Sequence, residues 1–297
     1  MDALSWFFTN LGLGFYNLLY ALTHPMSWLN WSDPQAIMRF IYYGGSTEFF
    51  FAILVVFLIV TGIGLWKNSF MWGFVRGAEA VANTVGRFAA WAGLLMVLQQ
   101  VVIVVIQRIF LEAQITFGLG VQFSKDISWY AEELKLFNAI IVCLCCTYTF
   151  VQGGHVRVDL IYSAVGYRAK RVIDMVGSLV LMIPFAVLAW MYSWYFMWRH
   201  LVTPKVSASD TLQRLVDGKS RAFKWNVETI GFSPNGFNAY FLFKVLLVVL
   251  IAMIFLQAVA FFYRSYLELK EGEEAEGKHL DRDKLGDDDA ELAAEIH

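Results

Sequence analysis

An all-α integral membrane protein is the fold class predicted for this chain, with five transmembrane helices and an N-terminal helix that lies in the interface or makes a sixth span. Three observations predict it. Five apolar runs, 46–66, 86–109, 134–151, 172–198 and 239–262, are close to or above the roughly 20 residues that carry a helix across a hydrocarbon core of about 30 Å. Charged residues gather at the ends of those runs. The chain is 58% hydrophobic and 16% charged, with 11 Trp and 26 Phe, whereas a soluble helical core needs about as many polar faces as apolar ones.

The first segment, 4–22, is uncharged and aromatic, with Asn10 and Asn17 one heptad apart and Gly14 between them. That pattern makes a narrow polar stripe, compatible with an interfacial helix or with a span packed on a neighbour. Met1-Asp2 puts an acid where a cleaved signal peptide carries a basic n-region, so no cleaved signal is predicted. Pro25 and Pro34, with Trp28 and Trp31 around them, read as an interfacial loop ahead of the first run.

The connection between the first and second runs holds Lys67, Arg76 and Arg87, and that between the third and fourth holds Arg157, Arg168, Lys170 and Arg171. These two alternate loops lie on one side and are basic, which places both in the cytoplasm, and parity puts the C-terminus there too. The loop 201–238 then lies outside; its Lys205, Arg214, Lys219, Arg221 and Lys224 are offset by Asp210, Asp217 and Glu228.

Polar residues within the runs have structural readings. Lys244 is expected to snorkel, Arg108 to pair with Glu112, and Arg171 with Asp174. Gln100 and Gln107 share a helix face and are expected to hydrogen-bond between helices, with Gln99 close by. Cys143, Cys145 and Cys146 sit inside the third run as packing residues. The five histidines are scattered among loops, a span end and the tail, which gives no pair to bridge a haem, and no nucleotide or metal motif is present. Pro184 alone gives at most a kink, not the broken helices of a transport site. No cofactor, metal site or catalytic site is predicted.

Residues 268–297 hold twelve of the 25 acidic residues against four basic ones, a net of −8, which leaves the remainder at +6 although the whole is −2. An acidic, aromatic-free tail of this kind is expected to be solvated and disordered, with partner docking as the sharper reading; nucleic acid is not an expected ligand. The domain reading is an N-terminal extension at 1–82, a membrane domain at 83–267 and the acidic tail at 268–297.

Residue chemistry by itself leads to an integral membrane helper or scaffold. The motifs go further. Trp129-Tyr130-Ala131-Glu132-Glu133-Leu134-Lys135 leads into the third run, Gly153-Gly154-His155-Val156-Arg157-Val158-Asp159-Leu160-Ile161-Tyr162 follows it, and Arg171-Val172-Ile173-Asp174 opens the fourth with Gly177 and Pro184. Upstream lie Asn83, Gly86-Arg87, Trp91 and Gln107-Arg108-Ile109-Phe110. Together these resemble the small membrane subunit, DctQ type, of tripartite ATP-independent periplasmic (TRAP) transporters, over about 83–200. Lys135-Leu136 and Ile109 depart from the commonest family pattern, and residues 1–82 and the enlarged outer loop are additions.

The resemblance implies a multi-pass protein of the bacterial inner membrane that acts as a static scaffold for a large elevator subunit (DctM type). That subunit would take up an organic acid or similar solute with a coupled cation, delivered by a periplasmic binding protein. The other reading is a membrane anchor subunit of a respiratory or redox complex. Under the resemblance, His155, Arg157, Asp159, Glu132, Glu133, Lys135 and Arg108 are expected to meet the large subunit or lipid. For the Gly153–Tyr162 turn, a capping Asp159 and an Arg157 on lipid phosphate is the competing account. Lys219, Arg221, Phe223, Lys224 and Trp225 are expected to dock the binding protein, with Phe232 a further aromatic anchor and Gly231, Pro234 and Gly236 shaping a turn that presents them; service as interfacial anchors is the competing account there.

Overall fold

In hydrocarbon every backbone N–H and C=O must be satisfied within its own segment, so apolar runs of this length form helices. The computed structural model describes residues 2–118, 122–153, 165–229 and 236–281. Among these, five helices are long and apolar enough to cross a membrane, as the sequence predicts.

Helix α1, Ala3–Thr23, packs against α4, and Gly14 is the point of contact: a Cβ there would sit 2.9 Å from the backbone of Phe51. It has the length of a span, 21 residues, but is not among the five that are also apolar enough. A short α2, Met26–Leu29, and α3, Pro34–Gly44, follow. Asp33 caps α3, its side chain accepting from Gln35 N at 3.0 Å with Pro34 at the first helical position. Ser46 caps α4, Thr47–Trp66, accepting from Phe49 N at 3.3 Å.

Lys67 is the only residue between α4 and α5, Asn68–Phe110. The sequence reading puts a loop at 67–85 and starts the second span at 86, and the structure corrects this: the helix begins at Asn68. The reason is a buried stripe of Met71, Trp72, Val75, Ala78, Glu79, Ala82, Asn83 and Gly86, at helical spacing. At about 1.5 Å per residue its 43 residues run about 65 Å, twice a hydrocarbon core, so its first half is additional to the crossing part.

After α5 a hairpin pairs β1, Gln114–Gly118, with β2, Gln122–Asp126, in the register Thr116↔Ser124. Helix α6 is Ile127–Gln152, α7 is Tyr167–Trp198 and α8 is Phe241–Glu271. In α7 a wider π-type turn, Ser178–Met182, precedes Pro184, which relieves the clash of a proline ring with the preceding turn. Past α7, β3, Val202–Thr203, pairs with β4, Lys224–Trp225.

Successive spans α4 to α8 alternate in direction, so the molecule has two ends. At the loop end, Ile37, Met38 and Ile41 of α3 pack on Trp194 and Trp198 of α7 and on Val202, Val206 and Leu215 of the loop. At the tail end, where α8 finishes, Met71, Trp72 and Val75 of α5 pack on Val259, Tyr263 and Leu267. Each end also carries a polar network.

Candidate partner-contact site

The tail end is held by buried charge. Arg264 of α8 grips Glu79 of α5 with two nearly parallel bonds, Nε to Oε1 at 2.7 Å and Nη2 to Oε2 at 2.6 Å, and both side chains are under a tenth exposed. Its Nη1 donates to the Lys278 carbonyl at 3.0 Å and approaches Glu268 at 3.4 Å, and its guanidinium lies over Trp72. Glu268, 2% exposed, stands between two cations: Arg171 Nε approaches its other oxygen at 3.0 Å, as an ion pair without hydrogen-bond geometry. Arg171 also meets Glu276 at 2.6 Å and Asp174 at 3.5 Å, the last being the pair read from the sequence. A forked guanidinium suits such a site because it satisfies a carboxylate along both oxygens.

This network changes the reading of the acidic tail. Helix α8 continues to Glu271, and Gly272 and Gly277, at φ +92° and +68°, turn the following residues back onto the bundle. Tyr167 Oη donates to the Glu268 and Gly272 carbonyls, and Trp72 Nε1 donates to Glu271 at 2.8 Å. Asn83 Nδ2 donates to the Asp281 carbonyl at 2.8 Å, Gln152 Nε2 to the same oxygen at 3.1 Å, and Arg87 meets the Asp281 carboxylate at 3.1 Å. Residues 268–281 are therefore a strap joining α5, α6, α7 and α8, because basic and amide side chains at the helix ends meet their acids and carbonyls.

At the other end of the spans, Gln99 Nε2 donates to Glu133 at 3.0 Å and to the Tyr130 carbonyl at 3.2 Å, tying α5 to α6. Glu132 accepts from Phe237 N at 2.7 Å, which fixes the approach to α8. Glu132 and Glu133 are thus engaged within the chain, while Lys135 and Arg108 are exposed. Of Gln99, Gln100 and Gln107, it is Gln99 that bonds between helices; Gln100 and Gln107 are exposed. Arg108 and Glu112 do not pair, since Leu111 takes a left-handed conformation, φ 55°, and carries Glu112 out of helical register. His155, Arg157 and Asp159 lie outside the described residues, as do Gly231, Phe232 and Pro234.

The loop residues divide into two kinds. Lys219 is internal: Nζ donates to Asp210 at 2.5 Å and to the Lys205 carbonyl at 2.6 Å, and Asp210 also accepts from Ser207 N at 2.8 Å. Phe223 packs half-buried on the α3 core. Arg221, Lys224 and Trp225 face outward, and Trp225, 53% exposed, rests beside Trp198 and Trp31 at 6.2 and 6.4 Å between ring centres. His200 and Lys205 approach Glu228 at 3.3 and 3.8 Å, and Glu228 N donates to the His200 carbonyl, so the loop closes on its own base.

Residues missed by the sequence reading are Glu79, Arg264 and Glu268. The available signal was the stripe on which Glu79 falls, and the i, i+4 spacing of Arg264 and Glu268 just past the last apolar run.

Residues 119–213 match the family model described as "Tripartite ATP-independent periplasmic transporters, DctQ component". The matched stretch holds α6, α7 and the start of the loop, including Glu132, Glu133, Lys135, His155, Arg157 and Asp159; Arg108 and the Lys219–Trp225 group fall outside it. No curated protein and no solved structure matches the chain. With the motifs quoted from the sequence and the five apolar spans, this match over about a third of the chain supports the small permease subunit, DctQ type, of the tripartite ATP-independent periplasmic transporters.

Proposed function

We propose that the chain is the static scaffold of a secondary transporter, holding a large elevator subunit in cation-coupled uptake of an organic acid or similar solute delivered by a periplasmic binding protein. The single observation that carries this reading is the family match over 119–213. Its physical support is the way the spans are locked: a stator must resist the force of a moving partner, and here one end of α5, α6, α7 and α8 is pinned by the strap and the buried Arg264–Glu79 pair. Lys135, Arg108, His155, Arg157 and Asp159 are the proposed contacts with the large subunit or lipid headgroups. Purification from detergent is expected to recover the chain with a large permease subunit, and proteoliposomes holding the chain alone are expected to take up no solute. Uptake by the chain alone would sink the proposal.

The orientation we propose puts the tail end in the cytoplasm of a bacterial inner-membrane protein, because Lys67, Arg76, Arg87, Arg168 and Lys170 belong to that end. Ser209 and Arg168 are both exposed and lie at opposite ends. In a background free of Cys143, Cys145 and Cys146, an impermeant thiol reagent on intact spheroplasts should modify Ser209→Cys and spare Arg168→Cys; the opposite pattern reverses the assignment.

For docking of the binding protein, the proposed contacts are Arg221, Lys224 and Trp225, with Phe223 supporting them from below and Lys219 holding the loop in shape. Arg221→Ala with Lys224→Ala is expected to lower uptake several-fold at limiting binding protein, more at low salt than at high, without changing subunit assembly. Lys219→Ala should instead loosen the loop, since it strips Asp210 of its shortest partner. Equal uptake by the double variant and the unaltered protein at low salt would remove these two charges from the docking face.

A further inference from the structure

Helix α4 meets α8 and α7 through aromatic spacers. Toward the tail end, Phe57 stacks on Tyr263 at 5.8 Å with the rings 6° apart, and Thr61 Oγ1 lies 2.8 Å from the Tyr263 hydroxyl. Toward the loop end, Phe49 stacks on Trp190 at 6.3 Å. Two stacked ring pairs prop the helices apart, and between them the facing residues on α7 and α8 include the small Ala186 and Ala252. The result is a groove of about 280 Å³ walled by side chains such as Phe49, Ile53, Ala186, Trp190, Ala252 and Phe255, with almost no polar surface. It is bounded at the loop end by the Gly44–Ser46 turn, where Trp190 Nε1 spends its proton on the Gly44 carbonyl and so offers nothing to a polar guest.

We propose that this groove binds one acyl chain of a membrane phospholipid. The three spans that wall the groove also present apolar side chains outward to the bilayer, with Val56 and Ile59 on α4, Leu188 on α7 and Val249 on α8 exposed. The groove has room for many waters, but water would find no partners on these walls. A void there leaves the lining atoms without contacts on one side, and a hydrocarbon chain restores them. The gain is one of packing, since a lipid tail leaves surroundings as apolar as those it enters. The spacing between the two aromatic stacks, Phe49 to Phe57, is about 12 Å at 1.5 Å per residue, so the groove takes the middle of a tail and leaves the headgroup outside.

The test is photocrosslinking of the full chain in nanodiscs of phosphatidylethanolamine and phosphatidylglycerol doped with a phosphatidylcholine carrying a mid-chain diazirine, with adducts mapped by mass spectrometry. Adducts on α4 at Phe49 and Ile53 and on α7 at Trp190 are expected several-fold above those on Phe88 and Trp91, exposed residues of α5 that do not line this groove. Ala252→Phe, which plugs the groove, should bring them down to the α5 level and leave the α5 adducts unchanged. Groove adducts no higher than those on α5 would overturn the proposal, as would their persistence in a folded Ala252→Phe. Should that variant not fold, the comparison within the unaltered protein decides. Loss of the groove adducts on addition of the large subunit, with crosslinks to that subunit in their place, would assign the groove to a protein partner and reject the lipid.

Discussion

Arg264→Leu is expected to destabilise the chain by about 3–5 kcal/mol, the usual consequence of removing one member of a buried ion pair. Glu79 would lose both of its bonds and Glu268 one of its two cations, and each carboxylate is under a twentieth exposed. The Lys278 carbonyl would lose the Nη1 proton as well, so the strap should loosen from α5. Arg264→Lys keeps the charge but not the fork, and should fall between the leucine variant and the unaltered protein. The double variant Arg264→Leu with Glu79→Leu should recover part of the loss, because an apolar pair leaves no stranded charge at Glu79. Heating in detergent and measuring the fraction that stays monodisperse reads all four proteins. An Arg264→Leu protein as heat-resistant as the unaltered chain would show that the network does not hold the tail end.

The fold was legible where one physical term dominates. The cores of α4 and of α6 to α8 are close to continuous apolar runs, and hydropathy finds them to within a few residues at most ends. It failed at the start of α5, where the buried face is a stripe with Glu79 and Asn83 in it and the other face holds Arg76; averaged along the chain, such a segment reads as a polar connector. The β1–β2 hairpin went unpredicted because Gln, Ser, Lys and Gly dilute its alternation.

The candidate site was less legible, for a different reason. Arg264 and Glu79 are 185 residues apart, and nothing in either neighbourhood names the other as a partner. Net charge describes the tail correctly as a count but is blind to geometry: Glu268, Glu271, Glu276 and Asp281 face Arg171, Arg264, Lys278 and Arg87 and pair with them. Composition likewise grouped Lys219 with Arg221 and Lys224, whereas Asp210 takes Lys219 inward. Gln99 and Gln100 differ only in helical phase, and the phase is fixed by where α6 sits.

Gly86→Leu is expected to be the most damaging single change at the α5–α6 crossing. A Cβ at Gly86 would collide with the Tyr148 side chain at its Cβ, close to the backbone of α6, so no rotation of the ring can make room. The helices are near enough there for Cys145 Sγ to reach the Gly86 carbonyl at 3.5 Å. Separating them would also draw Asn83 away from Gln152, 3.2 Å apart, and weaken the strap at Asp281. Overpacking of this sort costs about 1–3 kcal/mol or more, and Gly86→Ala should already show part of it. Gly93, two turns further along α5, supplies the control: its added Cβ would meet Ile141 at an ordinary 3.6 Å. There the general preference of a helix for alanine over glycine, about 1 kcal/mol in an unconstrained position, should prevail. Gly93→Ala is therefore expected to hold or raise heat resistance in detergent while Gly86→Ala lowers it. Equal behaviour of the two alanine variants would mean that helix propensity, and not the closeness of α5 to α6, decides stability at this crossing.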